Sequence, residues 1–165
     1  MCNQNRLRCS SNPKGCLTLK FIGFVINKQP RIPVFVEIIA HHKSRAVSFV
    51  VDSGATYSAI SEKELELMGL DSSIFPEEKK ISIGFGGTFR NRIVNCPVHM
   101  TFGSDEQKHK IVVDGGLKII CISPDRKPEE REKMLQLTPS ILGMDVLCNF
   151  NVHIYRRRIE LELPE

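Results

Sequence analysis

The sequence predicts a mostly β, mostly antiparallel single domain interrupted by two short helices, and three observations carry that prediction. Short runs enriched in β-branched and aromatic residues, several with period-two alternation, recur from residue 17 onward. Turn-forming residues separate them, without long stretches of helical period. The chain has 165 residues, enough for one core and too few for two complete lobes, since roughly 100 to 200 residues usually make one domain.

Residues 1–16, rich in Asn, Ser, Arg and Cys with a Pro13-Lys14-Gly15 turn, read as a flexible polar leader, which leaves 17–165 as the folded domain. Strands are expected at 17–21, 32–39, 46–51, 80–85, 91–102 and 110–113. A helix is expected over 62–68. There Ser61 and Glu64 have capping-box spacing, Leu65, Leu67 and Met68 supply an apolar side, and Gly69 is a natural terminator. A second, over 128–137, opens with Pro128 and has Glu129 and Glu130 near the positive end of the helix dipole; it reads as a surface insertion between core strands. The C-terminal segments 152–155 and 159–163 form a hairpin around Arg156-Arg157-Arg158, the second arm alternating apolar and acidic residues, one face packed and the other wet. Val112-Val113-Asp114-Gly115-Gly116 reads as a hairpin turn, because Asp-Gly is a common turn pair.

Composition excludes several classes. A net charge of +4 is modest, and three adjacent Arg at a turn are a solvated tip, not the broad basic face that nucleic acid requires. Cys2, Cys9, Cys16, Cys96, Cys121 and Cys148 contain no Cys-x-x-Cys pair and have no His at ligand spacing, so they read as thiols in a reducing cytosol and no metal is expected, with oxidative or metal clustering of the evenly spaced Cys2, Cys9 and Cys16 as the minor alternative. His41, His42, His99, His109 and His153 show no ligand spacing either and read as exposed or packing residues. Ser58 and Ser61 read as a turn residue and a helix cap. The first apolar run, 21–26, is far shorter than the roughly 18 residues a membrane span needs, and no secretory signal is visible; a cytoplasmic protein without membrane contact is expected.

Three separated segments carry the chemistry. An apolar strand delivers one carboxylate into a tight turn at Val50-Val51-Asp52-Ser53-Gly54-Ala55; a glycine-rich segment follows at Ile83-Gly84-Phe85-Gly86-Gly87; and Pro139-Ser140-Ile141-Leu142-Gly143 leads into residues 145–150. Each is common alone, and their order and spacing make them specific. In both respects residues 17–150 resemble the retropepsin-like aspartic proteases, the single-lobe enzymes of retroviruses, retrotransposons and related cellular proteins.

The resemblance implies a closed acid-protease barrel with a flap hairpin, and an endopeptidase that needs no cofactor. It implies that Asp52 is catalytic and that Ser53 hydrogen-bonds across a twofold axis. Gly54 permits the tight loop, Ala55 lines the cleft floor, Gly84, Phe85, Gly86 and Gly87 close on the substrate, and Pro139 and Ile141 form a pocket wall. Water-driven peptide hydrolysis needs a base and an acid at once, which one carboxylate cannot supply. With a single Asp52 per chain, the second must come from another copy, so a homodimer acting on extended peptide or unfolded protein is expected. Thr56, Tyr57 and Met144 depart from the family pattern, since many retroviral members have acids and an Arg there; the hairpin after Phe150 replaces their short interleaved tail. The alternative is a catalytically silent dimeric peptide-binding or assembly module of the same fold.

Overall fold

The computed structural model describes residues 19–78, 82–84, 87–104, 106–123 and 125–164. The expected leader 1–16 lies outside them, as do Phe85 and Gly86. Twelve strands are present: β1 (Lys20–Ile26), β2 (Gln29–Ile38), β3 (Lys43–Val51), β4 (Ala59–Ser61), β5 (Ser82–Gly84), β6 (Gly87–Val94), β7 (Val98–Ser104), β8 (Gln107–Val113), β9 (Leu117–Cys121), β10 (Ser140–Leu142), β11 (Asn151–Ile154) and β12 (Arg158–Glu162). Among the described residues three α-helices accompany them, α1 (Glu62–Leu67), α2 (Pro128–Leu137) and α3 (Met144–Leu147). The two helices expected from sequence are present, and α3 adds a third just after β10.

The central pair is β2 with β3. Ile32, Val34, Val36 and Ile38 alternate into the core, and Val47, Phe49 and Val51 face them from the partner strand. This is the period-two pattern of a sheet with one face buried. On its other edge β2 serves two partners in turn, β1 through residues 29–31 and β7 through residues 35–38. The sheet therefore forks. Its main path runs β11-β12-β1-β2-β3-β10-β4-β9-β6-β5, with β7 and β8 branching off β2. Among the described residues the ladder ends at β11 and at β5, so the expected closed barrel is not formed as one continuous ring.

Other expectations are corrected locally. The expected strand 91–102 divides into β6 and β7, because Pro97 lies between them and has no N–H to donate to a ladder. Asp114-Gly115-Gly116 is not a hairpin turn: β8 pairs with β7, whereas β9 pairs with β4 and β6. The Ser61 side chain makes no capping bond to α1; it sits at the end of β4, where its N–H donates to Ser140 Oγ at 3.0 Å. The end of α1 is as expected. Gly69 adopts φ +74°, Gly69 N–H donates to Glu66 O at 2.9 Å and Leu70 N–H to Leu65 O at 3.0 Å, the paired bonds of a Schellman motif.

The C-terminal hairpin forms around the three Arg, with Ile154 opposite Ile159. Its second arm is less wet than the alternation predicts. Glu160 is buried, because β12 lies between β1 and β11 and Arg158 Nε reaches its carboxylate at 2.9 Å. Phe21, Phe102 and Phe150 form an aromatic cluster with centroids 5.0 to 6.0 Å apart, against which His109 packs. Burial there holds the His109 imidazole below its ordinary pKa.

Candidate active site

The Asp52 turn is built from two directions. From its own strand, apolar β3 ends at Val51 and the next residues fold back at once: Gly54 N–H donates to Asp52 Oδ1 at 2.9 Å and Ala55 N–H to Asp52 O at 3.1 Å. An Asp that caps its own turn in this way is locally restrained. From 90 residues further along the chain, β10 runs parallel to β3 with Ile141 beside Val50 and Leu142 beside Val51, and Asp52 N–H donates to Leu142 O at 3.1 Å. Asp52, Ser53 and Gly54 are exposed, while Ala55, Pro139 and Ile141 are half-buried.

The chain after β10 crosses the back of the turn. Met144 N–H donates to Ala55 O at 2.8 Å and Asp145 N–H to Thr56 O at 3.2 Å. Gly143 is required by this crossing, since a Cβ there would lie 2.5 Å from the Tyr57 carbonyl carbon. Beneath it, the Asp145 carboxylate accepts from Ser58 N–H at 2.9 Å, from Ser58 Oγ at 2.7 Å and from Val146 N–H at 2.9 Å. Ser58 Oγ in turn accepts from Gly143 N–H at 2.9 Å, and Ser58 is fully buried. Sequence reasoning left Asp145 without a role and gave Ser58 only a turn. The one signal was an acid in the first turn of a helix directly after Ile-Leu-Gly.

One register row crosses the outer face beside this turn: Ile141, Val50, Arg31, Phe24 and Arg158, one residue from each of β10, β3, β2, β1 and β12. All five are half-buried or exposed, whereas their chain neighbours Leu142, Phe49, Ile32, Gly23 and Ile159 are buried, so the five share one face. Elsewhere, β5 and β6 form a hairpin with Gly84 opposite Gly87. The tip residues Phe85 and Gly86 lie outside the described residues.

Two other features are structural. A polar cavity of about 240 Å³ lies among Glu62, Asp71, Arg92 and Arg131. Its polar groups are engaged with one another: Glu62 accepts from Ser72 Oγ at 2.8 Å and Ile122 N–H at 3.0 Å and pairs with Arg131 at 3.3 Å. Among the described residues no group of His, Cys, Asp and Glu could hold a metal ion, and no helix is long and apolar enough to cross a membrane. The Cys121 thiol is pushed up to about 11, chiefly by burial and then by the nearby Glu62 charge, which makes it a poor nucleophile.

No family profile and no curated protein matches this sequence. Among solved structures, the chain is similar to a retropepsin-like aspartic protease from Rickettsia conorii, at 16% identity and a TM-score of 0.50, covering 88% of this chain and 90% of that one. A further match is the EIAV protease in complex with the inhibitor HBY-793, at 14% identity and a TM-score of 0.41 over 74% of this chain and 88% of that one, a similarity too loose to bear on the fold. The fold is retropepsin-like.

Proposed function

We propose that this chain is an aspartic endopeptidase whose active site is shared by two copies. The observation that carries the reading is the Asp52 turn: a solvent-facing carboxylate, fixed by its own turn and by β10, in a fold of the retropepsin-like type. Two Asp52 carboxylates a few Å apart across a twofold axis repel each other when both are ionised. The favoured arrangement is therefore one proton shared between the two carboxylates. The ionised member takes a proton from the attacking water. The protonated member donates to the carbonyl oxygen, and the proton gained then passes to the leaving nitrogen.

The remaining residues take roles consistent with this. Ser53 Oγ bonds across the axis to the partner turn. Ala55 floors the cleft, Pro139 and Ile141 wall a pocket for an apolar side chain, and Gly84, Phe85, Gly86 and Gly87 form a flap that excludes water on closure. The retroviral Arg–acid support is replaced by the Asp145–Ser58 lock, which holds α3 to the turn within one chain.

Support for a dimer comes from the open edge of the sheet. β11 has β12 on one side and, among the described residues, no strand on the other. It exposes Val152 and Ile154, the turn after it exposes Tyr155, and β1 nearby exposes Ile22, Phe24 and Ile26. An apolar, unpaired edge of this kind is a ready strand-pairing surface.

The test is cleavage of a denatured-protein or peptide library between about pH 4 and 7, the range suited to shared carboxylate titration, by the wild type and by Asp52→Asn. Activity abolished in Asp52→Asn supports the enzyme. Peptide binding without cleavage in both proteins favours a dimeric binding module.

A further inference from the structure

The end of the sheet that carries Asp52 is rich in cations without counter-charges. Arg31 stands in the outer-face row next to Val50, two residues before Asp52. Lys28 lies in the β1–β2 turn, and Arg156 and Arg157 in the β11–β12 turn, which a bond from Val25 N–H to Arg157 O at 3.2 Å fixes against β1. Among the described residues none of these four makes an ion pair. Arg158 differs, being engaged with Glu160 and stacked 4.9 Å from the Tyr155 ring.

Arg31 is also restrained. Its Nη2 donates to Gln29 Oε1 at 2.9 Å, and the residue is half-buried. A guanidinium tethered by one side-chain bond, with its remaining donors unmatched by any carboxylate, is a preorganised donor site for one. Arg31 lies two strands from Ile141. At about 4.8 Å per strand this is roughly 10 Å, the span of about three residues of an extended peptide.

Resting on the endopeptidase reading, we propose that the cleft selects polypeptides carrying an Asp or Glu about three residues from the apolar side chain seated at Ile141 and Val50. Arg31 takes that carboxylate in a charge-assisted hydrogen bond, while Lys28, Arg156 and Arg157 draw acidic segments toward the cleft over longer range. Nucleic acid is the poorer fit, because apolar Phe24 and Ile26 lie among the cations on this face and Val50 and Ile141 continue the row on the other side of Arg31.

The test uses full-length Asp52→Asn protein and two labelled peptides that differ only by Glu or Gln three residues from an apolar pair. Their affinities are read by fluorescence anisotropy near neutral pH, where Glu is ionised. The Glu peptide binds on the order of tenfold tighter, the scale of one charge-assisted bond. Arg31→Gln brings the ratio to about one, and Arg31→Glu inverts it, so that the Gln peptide binds tighter. Arg156→Gln/Arg157→Gln, on an exposed turn that tolerates change, lowers the ratio less and flattens its salt dependence.

Equal binding of the two peptides, no binding of either, an equal loss for both in Arg31→Gln, or tighter capture of an oligonucleotide competitor would each overturn the proposal. The binding ratio does not depend on catalysis. A wild type that cuts neither peptide while the ratio holds refutes the endopeptidase reading alone, whereas cleavage indifferent to Glu or Gln refutes this proposal alone.

Discussion

Val50-Val51-Asp52-Ser53-Gly54 and Val112-Val113-Asp114-Gly115-Gly116 look alike in sequence, each an apolar strand end followed by Asp and glycine, yet the fold treats them differently. The first is gripped by a segment some 90 residues away: β10 lies beside it, Leu142 O accepts from Asp52 N–H, and Gly143 passes so close to Tyr57 that no Cβ fits. The second is a link between β8 and β9, which do not pair with each other; its Gly116 packs against Ile93, but a Cβ at Gly115 would meet nothing within 4 Å. A strand that ends in Asp does not make a site. What sets the Asp52 turn apart is a second strand and a helix that fix it.

Substitutions at matched positions sharpen that contrast. The largest effect is expected for activity: Asp52→Asn lowers kcat/KM by at least about a thousandfold, since in a homodimer it removes both carboxylates of the coupled acid-base pair, whereas Asp114→Asn leaves it within about twofold. Steady-state cleavage of one peptide by both variants checks this, and similar losses would erase the distinction between the turns.

Next is the close crossing. Gly143→Ala forces a methyl group into the Tyr57 backbone and is expected to cost about 3 kcal/mol of stability. Gly115→Ala, with open space around it, changes stability by less than about 0.5 kcal/mol. Urea denaturation midpoints decide between them. Asp145→Ala removes the acceptor for the buried Ser58 N–H and Oγ, and a loss of about 2 to 3 kcal/mol is expected from the unsatisfied donors. Ser58→Ala alone should cost less, since the carboxylate keeps two backbone donors.

The smallest effect concerns neither turn and serves as their control. His109 has a folded pKa lowered by desolvation, so the folded state binds its proton less readily than the unfolded chain. Its contribution is therefore complete above the unfolded value of about 6.5 and is lost as pH falls from there through the folded value. His109→Phe, packed against the same aromatic rings, should flatten the fall in stability as pH drops below about 6.5. An unchanged slope would assign that fall to other groups.

Much of this was legible in the sequence because it rests on local rules. Alternation placed β2, β3 and the C-terminal hairpin, Gly69 ended α1 with a Schellman motif, and Pro128 opened α2. The order Asp-Ser-Gly, glycine-rich hairpin, Ile-Leu-Gly gave the fold and drew attention to Asp52. What escaped depends on long-range partners. Ser61 matches a capping box by spacing, but Ser140, 79 residues away, engages it in a bond between β4 and β10. Asp145 and Ser58 are unremarkable until β10 brings them within 2.7 Å. Among the described residues the sheet forks and does not close, with β2 dividing one edge between β1 and β7, a choice that no single strand's pattern records.

The central claim is that Asp52 is half of a catalytic site. Peptide cleavage followed alongside sedimentation over a dilution series, with increasing Asp52→Asn protein mixed into the wild type, tests it most directly. The account predicts specific activity that falls with the same midpoint as dimer dissociation and is suppressed as mixed dimers form. Specific activity that stays constant through dissociation, or is indifferent to added Asp52→Asn chains, would contradict it.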